Sequence, residues 1–335
     1  MLDLKIIRKD IENYCEGLRL KELPYGSYLN FKNSRCDLYS SADVAIMRKI
    51  MGEDLEKNLT LSQRNEWIGH INSFVDEYKK DGSYTDTHGH SPLHANGMVI
   101  GALGALGGKQ RYENKLYDDF SDINKIEGWL SNIDWSNQWP VSHLFWGGMH
   151  CFSMSAKCTS QWIEAVFSWL DKSIDENTGF WRKGASYTDR HQQLGGFVHI
   201  VPMYQHHNKE FKYAKKVIDS VLNLQLERGN WLSWGGTHVM HYLELDALYA
   251  LKYMSELEPN YRKNDIEKSI KKYMVLVDEY YNNSKDELFS QHPHMILGIA
   301  GCFGLLYQLG FLDDDIEWTD IFSNINLYKT KEVEV

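Results

Sequence analysis

QLERGNW (Gln225–Trp231) has two weaker echoes upstream, DENTGFW (Asp175–Trp181) and YKKDGSY (Tyr78–Tyr84). In each, a glycine stands two places before an aromatic residue. Glycine adopts a left-handed backbone that other residues avoid, and the aromatic can fold back over a helix end. The three stretches read as one kind of turn, and the segments flanking them decide the fold.

Two kinds of segment alternate around these turns. The first is amphipathic: from Trp67 the apolar residues fall at Trp67, Ile68, Ile71, Phe74, Val75 and Tyr78, one stripe of a helix. Thr60 and Gln63 have the spacing of a capping box ahead of it. KCTSQWIEAVFSWLDKSI, NKEFKYAKKVIDSVLNLQLE and NDIEKSIKKYMVLVDEYY follow the same pattern. The second kind is apolar nearly all round: NGMVIGALGALGG after His94, LELDALYALKYM after His241 and MILGIAGCFGLL after His294. A helix without a polar face belongs inside a protein. Gly298, Gly301 and Gly304 lower helix propensity, so close packing is their expected role.

Ser41, His94, His143, His199, His241 and His294 mark the expected starts of the buried helices, 42 to 56 residues apart. Such a period signals a repeated supersecondary unit. Six outer–inner pairs account for residues 1–335 as one all-α domain, an (α/α)6 toroid with parallel inner helices and antiparallel outer ones. An open helical solenoid is the rival arrangement. The segment DIEWTDIFSNIN, placed to meet the N-terminal helix, favours closure.

QLERGNW resembles the QxxxGxW turn of squalene–hopene and oxidosqualene cyclases. The layout of the whole chain is similar to that toroid superfamily, which includes protein prenyltransferase β-subunits. Similar toroids occur among polysaccharide lyases, unsaturated glucuronyl hydrolases and sugar epimerases. LYSSADVAIMRKIMGEDL, EWIGHINSF and HYLELDALYAL resemble a bacterial family of such toroids, a likeness that implies a fold and no activity.

The totals set limits. A formal charge of −10 over 335 residues argues against general nucleic-acid or anionic-membrane binding. Eleven Trp and twenty Tyr favour an aromatic-lined cavity without naming its ligand. The N-terminal MLDLKIIRKDIENYCEG has no apolar signal core, and MILGIAGCFGLLYQLGFL, interrupted by Gln308 and several glycines, reads as a core helix rather than a membrane span. Five scattered cysteines without CxxC spacing fit free thiols in a reducing cytoplasm.

Parallel inner helices present their N-termini at one rim. SYTDTH (from Ser83) and SYTDRH (from Ser186) are read as equivalent connections to that rim, two repeats apart. Eleven of the fourteen histidines fall in rim connections: His88, His90, His94, His143, His150, His191, His199, His238, His241, His292 and His294. The candidate catalytic set is His94, Tyr187, Asp189, His199, His241 and Asp246. Tyr84, Asp86, Trp139, Trp146, Arg190, His191, Trp234 and His294 are candidate substrate contacts, while Trp181 and Trp231 belong to the turns and are expected to be packing residues.

Several chemistries lose support. The DxDD acid motif of triterpene cyclases is missing, the zinc pattern of prenyltransferases is missing at Asp246, and His150-Cys151 is only a fragment of the lanthionine-cyclase ligand set. No cofactor is expected, although His238-x-x-His241 with Asp246, or His292-x-His294, offers metal donors. A carbohydrate-active enzyme is the leading reading, a lyase, epimerase or hydrolase acting on an acidic or oligomeric sugar. Arg190 would neutralise a uronate, His199 or His94 would take the α-proton, and Tyr187 or Tyr84 would serve as acid. Hydrolysis would need paired carboxylates, best drawn from Asp86, Asp189 and Asp246. The alternatives are a terpenoid-cyclase-like or prenyltransferase-like enzyme and a non-catalytic toroid that binds a glycan or a protein.

Overall fold

The computed structural model describes residues 2–32, 34–185, 189–232 and 239–329. The described residues are helical, with four isolated β-bridges and no strand. Helices follow in pairs: α1 (Leu4–Leu18) and α2 (Leu38–Ile50), α3 (Leu61–Asn72) and α4 (Pro92–Leu106), α5 (Ile123–Ser131) and α6 (Gln138–Leu144). They continue with α7 (Ser160–Ser173) and α8 (His191–Val198), α9 (Ala214–Leu224) and α10 (Tyr242–Leu257), α11 (Lys263–Asn283) and α12 (Pro293–Gln308). Odd-numbered members bury one stripe. In α4, α10 and α12 nearly every residue of the first three turns is buried, as their lack of a polar face requires.

Each even-numbered helix packs against the next. α2 packs on α4, α4 on the π-helical turn Phe145–His150 that extends α6, α6 on α8, α8 on α10, α10 on α12, and α12 on α2. The buried side chains form one continuous hydrophobic cluster.

The turn chemistry follows the expected lines. Gly82, Gly179 and Gly229 have φ of +72°, +76° and +116°. Tyr84, Trp181 and Trp231 are buried, and both indoles donate back to the preceding helix, Trp181 Nε1 to the Leu170 carbonyl and Trp231 Nε1 to the Val221 carbonyl, each at 2.9 Å. The Gln225 amide donates to the Gly229 carbonyl at 2.7 Å and to the Ser269 carbonyl at 3.0 Å, tying the turn to α11. Thr60 and Gln63 form the capping box. The stripe from Trp67 stops sooner than its periodicity predicts: α3 ends at Asn72, Asp76 caps the next turn by accepting from the Tyr78 and Lys79 amides, and Tyr78 is exposed.

Three expected helix starts also shift. α2 is capped by Asp37, so Ser41 lies one turn inside it. α6 begins at Gln138 and carries His143 near its end. α8 begins at His191 and ends at Val198, which leaves His199 in the break before a short helix over Pro202–His206. Proline at 202 cannot donate an amide to continue the preceding helix.

The C-terminal segment closes on the N-terminal helix. Asp314 pairs with Arg8, Asp315 with Lys5 at 2.5 Å, and the Thr319 amide donates to the Ile50 carbonyl at 2.7 Å. It also runs so near α12 that a Cβ at Gly304 would lie 2.0 Å from the Thr319 carbonyl oxygen. All five cysteines are free thiols, and no helix among the described residues is long and apolar enough to cross a membrane.

A paired substitution tests this packing. Gly304→Ala must displace backbone and is expected to destabilise the protein by roughly 1–3 kcal/mol despite its better helix propensity. Gly128→Ala, in α5 with nothing within 4 Å of the added carbon, is expected to stabilise by about 0.5–1 kcal/mol. Denaturant midpoints of the two variants should move in opposite directions.

Candidate active site

A cavity of about 650 Å3 opens where the even-numbered helices meet. Seven histidines line it: His88, His90, His94, His143, His199, His241 and His294. Trp139, Trp146, Tyr242 and Asp246 complete its polar and aromatic side. Apart from Ser91 and Tyr328 the rest is apolar, from Ile46, Met98 and Leu297 on the helices to Ile321, Phe322 and Leu327 of the C-terminal segment.

The imidazoles form a packed file. Ring centroids lie 4.1 Å apart for His90–His94, 4.3 Å for His94–His143 and 4.6 Å for His143–His199. His88 stacks near His292 at 4.1 Å. Burial, and then the proximity of like groups, lowers five of these rings: His88 and His90 to about 4, His143 to about 3, His94 and His199 well below the ordinary histidine range. They are neutral bases at pH 7.

Several rings have one nitrogen already engaged. Ser142 Oγ donates to the Trp139 carbonyl at 2.7 Å and lies 2.8 Å from His199 Nδ1. The hydroxyl has a single proton, so His199 Nδ1–H donates to it and His199 Nε2 keeps its lone pair. His294 Nδ1 faces Asp43 Oδ1 at 3.0 Å, and His94 Nδ1 faces the Tyr39 hydroxyl at 2.7 Å. Tyr242 donates its hydroxyl proton to the His294 carbonyl at 2.6 Å. Gly97 makes room for the Trp146 ring, which a Cβ would meet at 2.5 Å, and Trp146 Nε1 donates to the Tyr328 hydroxyl at 3.0 Å.

Asp246 on α10 lines the cavity, and its Oδ2 has no hydrogen-bond partner among the described residues. Burial, with Glu244 adding to it, pushes this carboxyl well above the ordinary range and so favours its protonated form. Glu244 has a different task. Its Oε1 accepts from the amides of Trp231 at 3.1 Å and Leu232 at 2.7 Å, and from the Asn230 side chain at 3.3 Å. It anchors the QLERGNW turn to the head of α10.

Of the expected site residues, His94, His199, His241, Asp246, Trp139, Trp146 and His294 meet at the cavity. Tyr84 does not: its buried hydroxyl accepts from Gln110 at 2.7 Å. Asp86 accepts from the Leu38 and His88 amides at 3.2 and 3.0 Å, and so caps α2. Asp189 makes the matching turn, accepting from the His191 amide at 2.9 Å. That shared Asp-x-His turn supports the equivalence of SYTDTH and SYTDRH, but their histidines diverge. His88 lines the cavity, whereas His191 pairs with Asp189 at 2.8 Å and the Leu224 carbonyl at 3.2 Å. Arg190 is exposed and outside the lining. His150 pairs with His206 at 2.9 Å, away from the lining. Tyr187, Trp234 and His238 lie outside the described residues.

The sequence reading does not single out Tyr39, Asp43, Ser142 or Tyr242, and places His88, His90 and His143 only in the rim cluster. A carboxylate at position 43, inside a helix buried on all sides, was the available signal.

No family model, curated protein or solved structure matches the chain. The reading of the site rests on its own geometry.

Glu244 gives a direct test. Glu244→Ala leaves two buried amides without an acceptor, a loss of about 2–4 kcal/mol. Glu244→Gln keeps an acceptor and should retain most of the stability. Burial raises the Glu244 carboxyl to about 7 against the lowering effect of its hydrogen bonds, so the folded state holds this proton more tightly than the unfolded one. Its contribution is full below about pH 4.5 and declines as pH rises through 7. Melting curves of Glu244→Gln should lack that component of the decline.

Proposed function

We propose that the chain is an (α/α)6-toroid enzyme that moves a proton on a neutral reducing sugar, as an epimerase or isomerase. The toroid is supported by the succession of helix contacts, which runs from α2 through α12 and returns to α2. It matches the fold that the QxxxGxW-like turns imply.

The observation that carries the reaction type is His199, whose Nδ1–H is committed to Ser142 while Nε2 remains a neutral acceptor in a cavity of about 650 Å3. Asp246, a carboxyl that burial drives toward its protonated form and that has an unpartnered oxygen in the same lining, complements it as acid. An open-chain aldose carries an acidified proton on the carbon beside its carbonyl. His199 removes that proton while Asp246 protonates the carbonyl oxygen, giving an enediol. If the enediol turns its other face to the protonated His199, return of that proton to the same carbon, with the proton on the former carbonyl oxygen passing back to Asp246, gives the epimer. Delivery to the former carbonyl carbon, with the neighbouring hydroxyl proton passing to Asp246, gives the ketose. Trp139 and Trp146 provide faces for the sugar ring before it opens.

The narrower alternatives carry less. No lysine or arginine is among the lining residues described, so no side-chain cation there would pair with a uronate carboxylate. Asp246 is the only carboxylate among those residues, so a hydrolase lacks its second carboxyl group. The apolar wall from Ile46 to Leu327 favours a second reading, in which the substrate has an apolar tail beyond its reacting end.

The test is solvent deuterium incorporation. Neutral aldoses and N-acylated aminosugars incubated in D2O with the protein should gain deuterium at the carbon beside the carbonyl, detected by NMR. His199→Asn should slow the exchange by roughly 10²- to 10⁴-fold with an unchanged melting temperature. Thermal stabilisation by uronates or prenyl alcohols, with none from neutral sugars and no exchange, would overturn the proposal.

A further inference from the structure

We infer that His90, His94 and His294 bind one divalent transition-metal ion of the zinc type, with a remaining coordination position open to the cavity. This goes beyond the proposed reaction and does not rest on it. Each of the three residues offers a ring nitrogen, and these donor atoms all lie within 4.8 Å of one another. Three imidazoles with one open position make the donor set of a catalytic rather than a structural zinc site. The residues come from different parts of the fold. His94 is in the first turn of α4, His90 precedes its Ser91 cap, and His294 is in the first turn of α12.

Two further contacts fit that assignment. Ligating histidines commonly donate their second ring N–H to a carboxylate or another oxygen, which fixes the ring and leaves the far nitrogen for the metal. His294 Nδ1 has the Asp43 carboxylate at 3.0 Å, and His94 Nδ1 has the Tyr39 hydroxyl at 2.7 Å. Asp43 is wholly buried on α2, its Oδ2 has no partner among the described residues, and His294 is the one cationic-type group paired with it there. A carboxylate buried without a full positive charge beside it is costly. A dication one ring away would supply the missing positive charge.

The neighbouring group Asp37, His88 and His292 also brings donors within 4.8 Å of one another, but two of its members are already engaged. His292 Nδ1 accepts from the His294 amide at 2.9 Å, and its Nε2 faces Asp37 Oδ2 at 3.4 Å. Asp37 Oδ1 accepts from the Ser40 amide at 2.8 Å and the Ser40 hydroxyl at 2.6 Å. This pair caps α2 and α12. The expected pair His292-x-His294 is thus divided between a cap and a ligand set.

The experiment uses the full chain after chelator dialysis. Titration with Zn2+ and with Co2+ should reach one equivalent, measured by elemental analysis and by cobalt visible absorption. His94→Ala and His294→Ala should each weaken binding at least 100-fold, and Asp43→Asn by 10- to 100-fold. His90→Ala, at a half-exposed position, provides a ligand variant that keeps its fold, checked by circular dichroism. His292→Ala should still bind one equivalent. Stoichiometry near zero, undiminished binding in a folded His90→Ala, or loss in His292→Ala with retention in His90→Ala would overturn the assignment. None of these readouts depends on sugar turnover.

Discussion

Helices with apolar side chains on every side cannot face water, and that constraint governs the rest of this protein. α4, α10 and α12 must be covered by neighbours along their whole length, so each contacts the next even-numbered element as well as an outer partner. Polar function can then enter chiefly at helix ends, where unpaired amides and caps already break the apolar surface. Histidines gather there for that reason: His94 follows the Ser91 cap, His241 is itself the cap position of α10, and His294 follows the His292 cap.

Polar groups that do lie within these helices are held under strict terms. Asn96 donates to the Gly147 carbonyl at 2.6 Å and accepts from Gln110 at 2.9 Å. Glu244 spends one oxygen on the turn before α10. Asp37 remains ionised because hydrogen bonds from His292 and Ser40 outweigh its burial and bring it to about 2. Asp43 and Asp246 each keep an oxygen without a partner and are driven toward the protonated form. Buried polar groups are hydrogen-bonded as a rule, and these two oxygens are exceptions, as are Glu244 Oε2 and the Gln138 side-chain amide. Asp43 and Asp246 both stand beside the imidazole file.

Much of this was legible in the chain, and the boundary of legibility has a physical cause. Turn glycines and their aromatics are readable because left-handed backbone and aromatic back-folding are local properties. The capping box at Thr60 and Gln63 is local too. Helix faces are readable because burial follows a 3.6-residue period. The exact seats of His143 and His199 were not, because the two segments carrying them are irregular. One passes through a π-helical turn containing Gly147 and Gly148, where Leu93 of α4 approaches the backbone closely, and the other breaks before Pro202. Asp86 and Asp189 share one turn chemistry, yet nothing within the hexapeptides says that the histidine of one faces a cavity and that of the other a neighbouring helix end. Pairs such as Asp43–His294, 251 positions apart, have no signature in spacing at all.

The cavity is graded from a polar end to an apolar one, and the C-terminal segment creates the gradient. Ile321, Phe322 and Leu327 line it, and the turn Ile325–Tyr328 packs on α4. Tyr328 receives the Trp146 indole proton and stacks on His150 at 4.4 Å, which separates the lining imidazoles from the His150–His206 pair behind. Water is poorly held against such a wall and well held against seven imidazoles. A bound molecule therefore turns its hydrogen-bonding groups toward His94, His143 and His199 and its less polar part toward the C-terminal segment. That orientation costs no charge, because the imidazoles of the file are neutral, and it faces His199 Nε2, whose tautomer is set by a single serine hydroxyl.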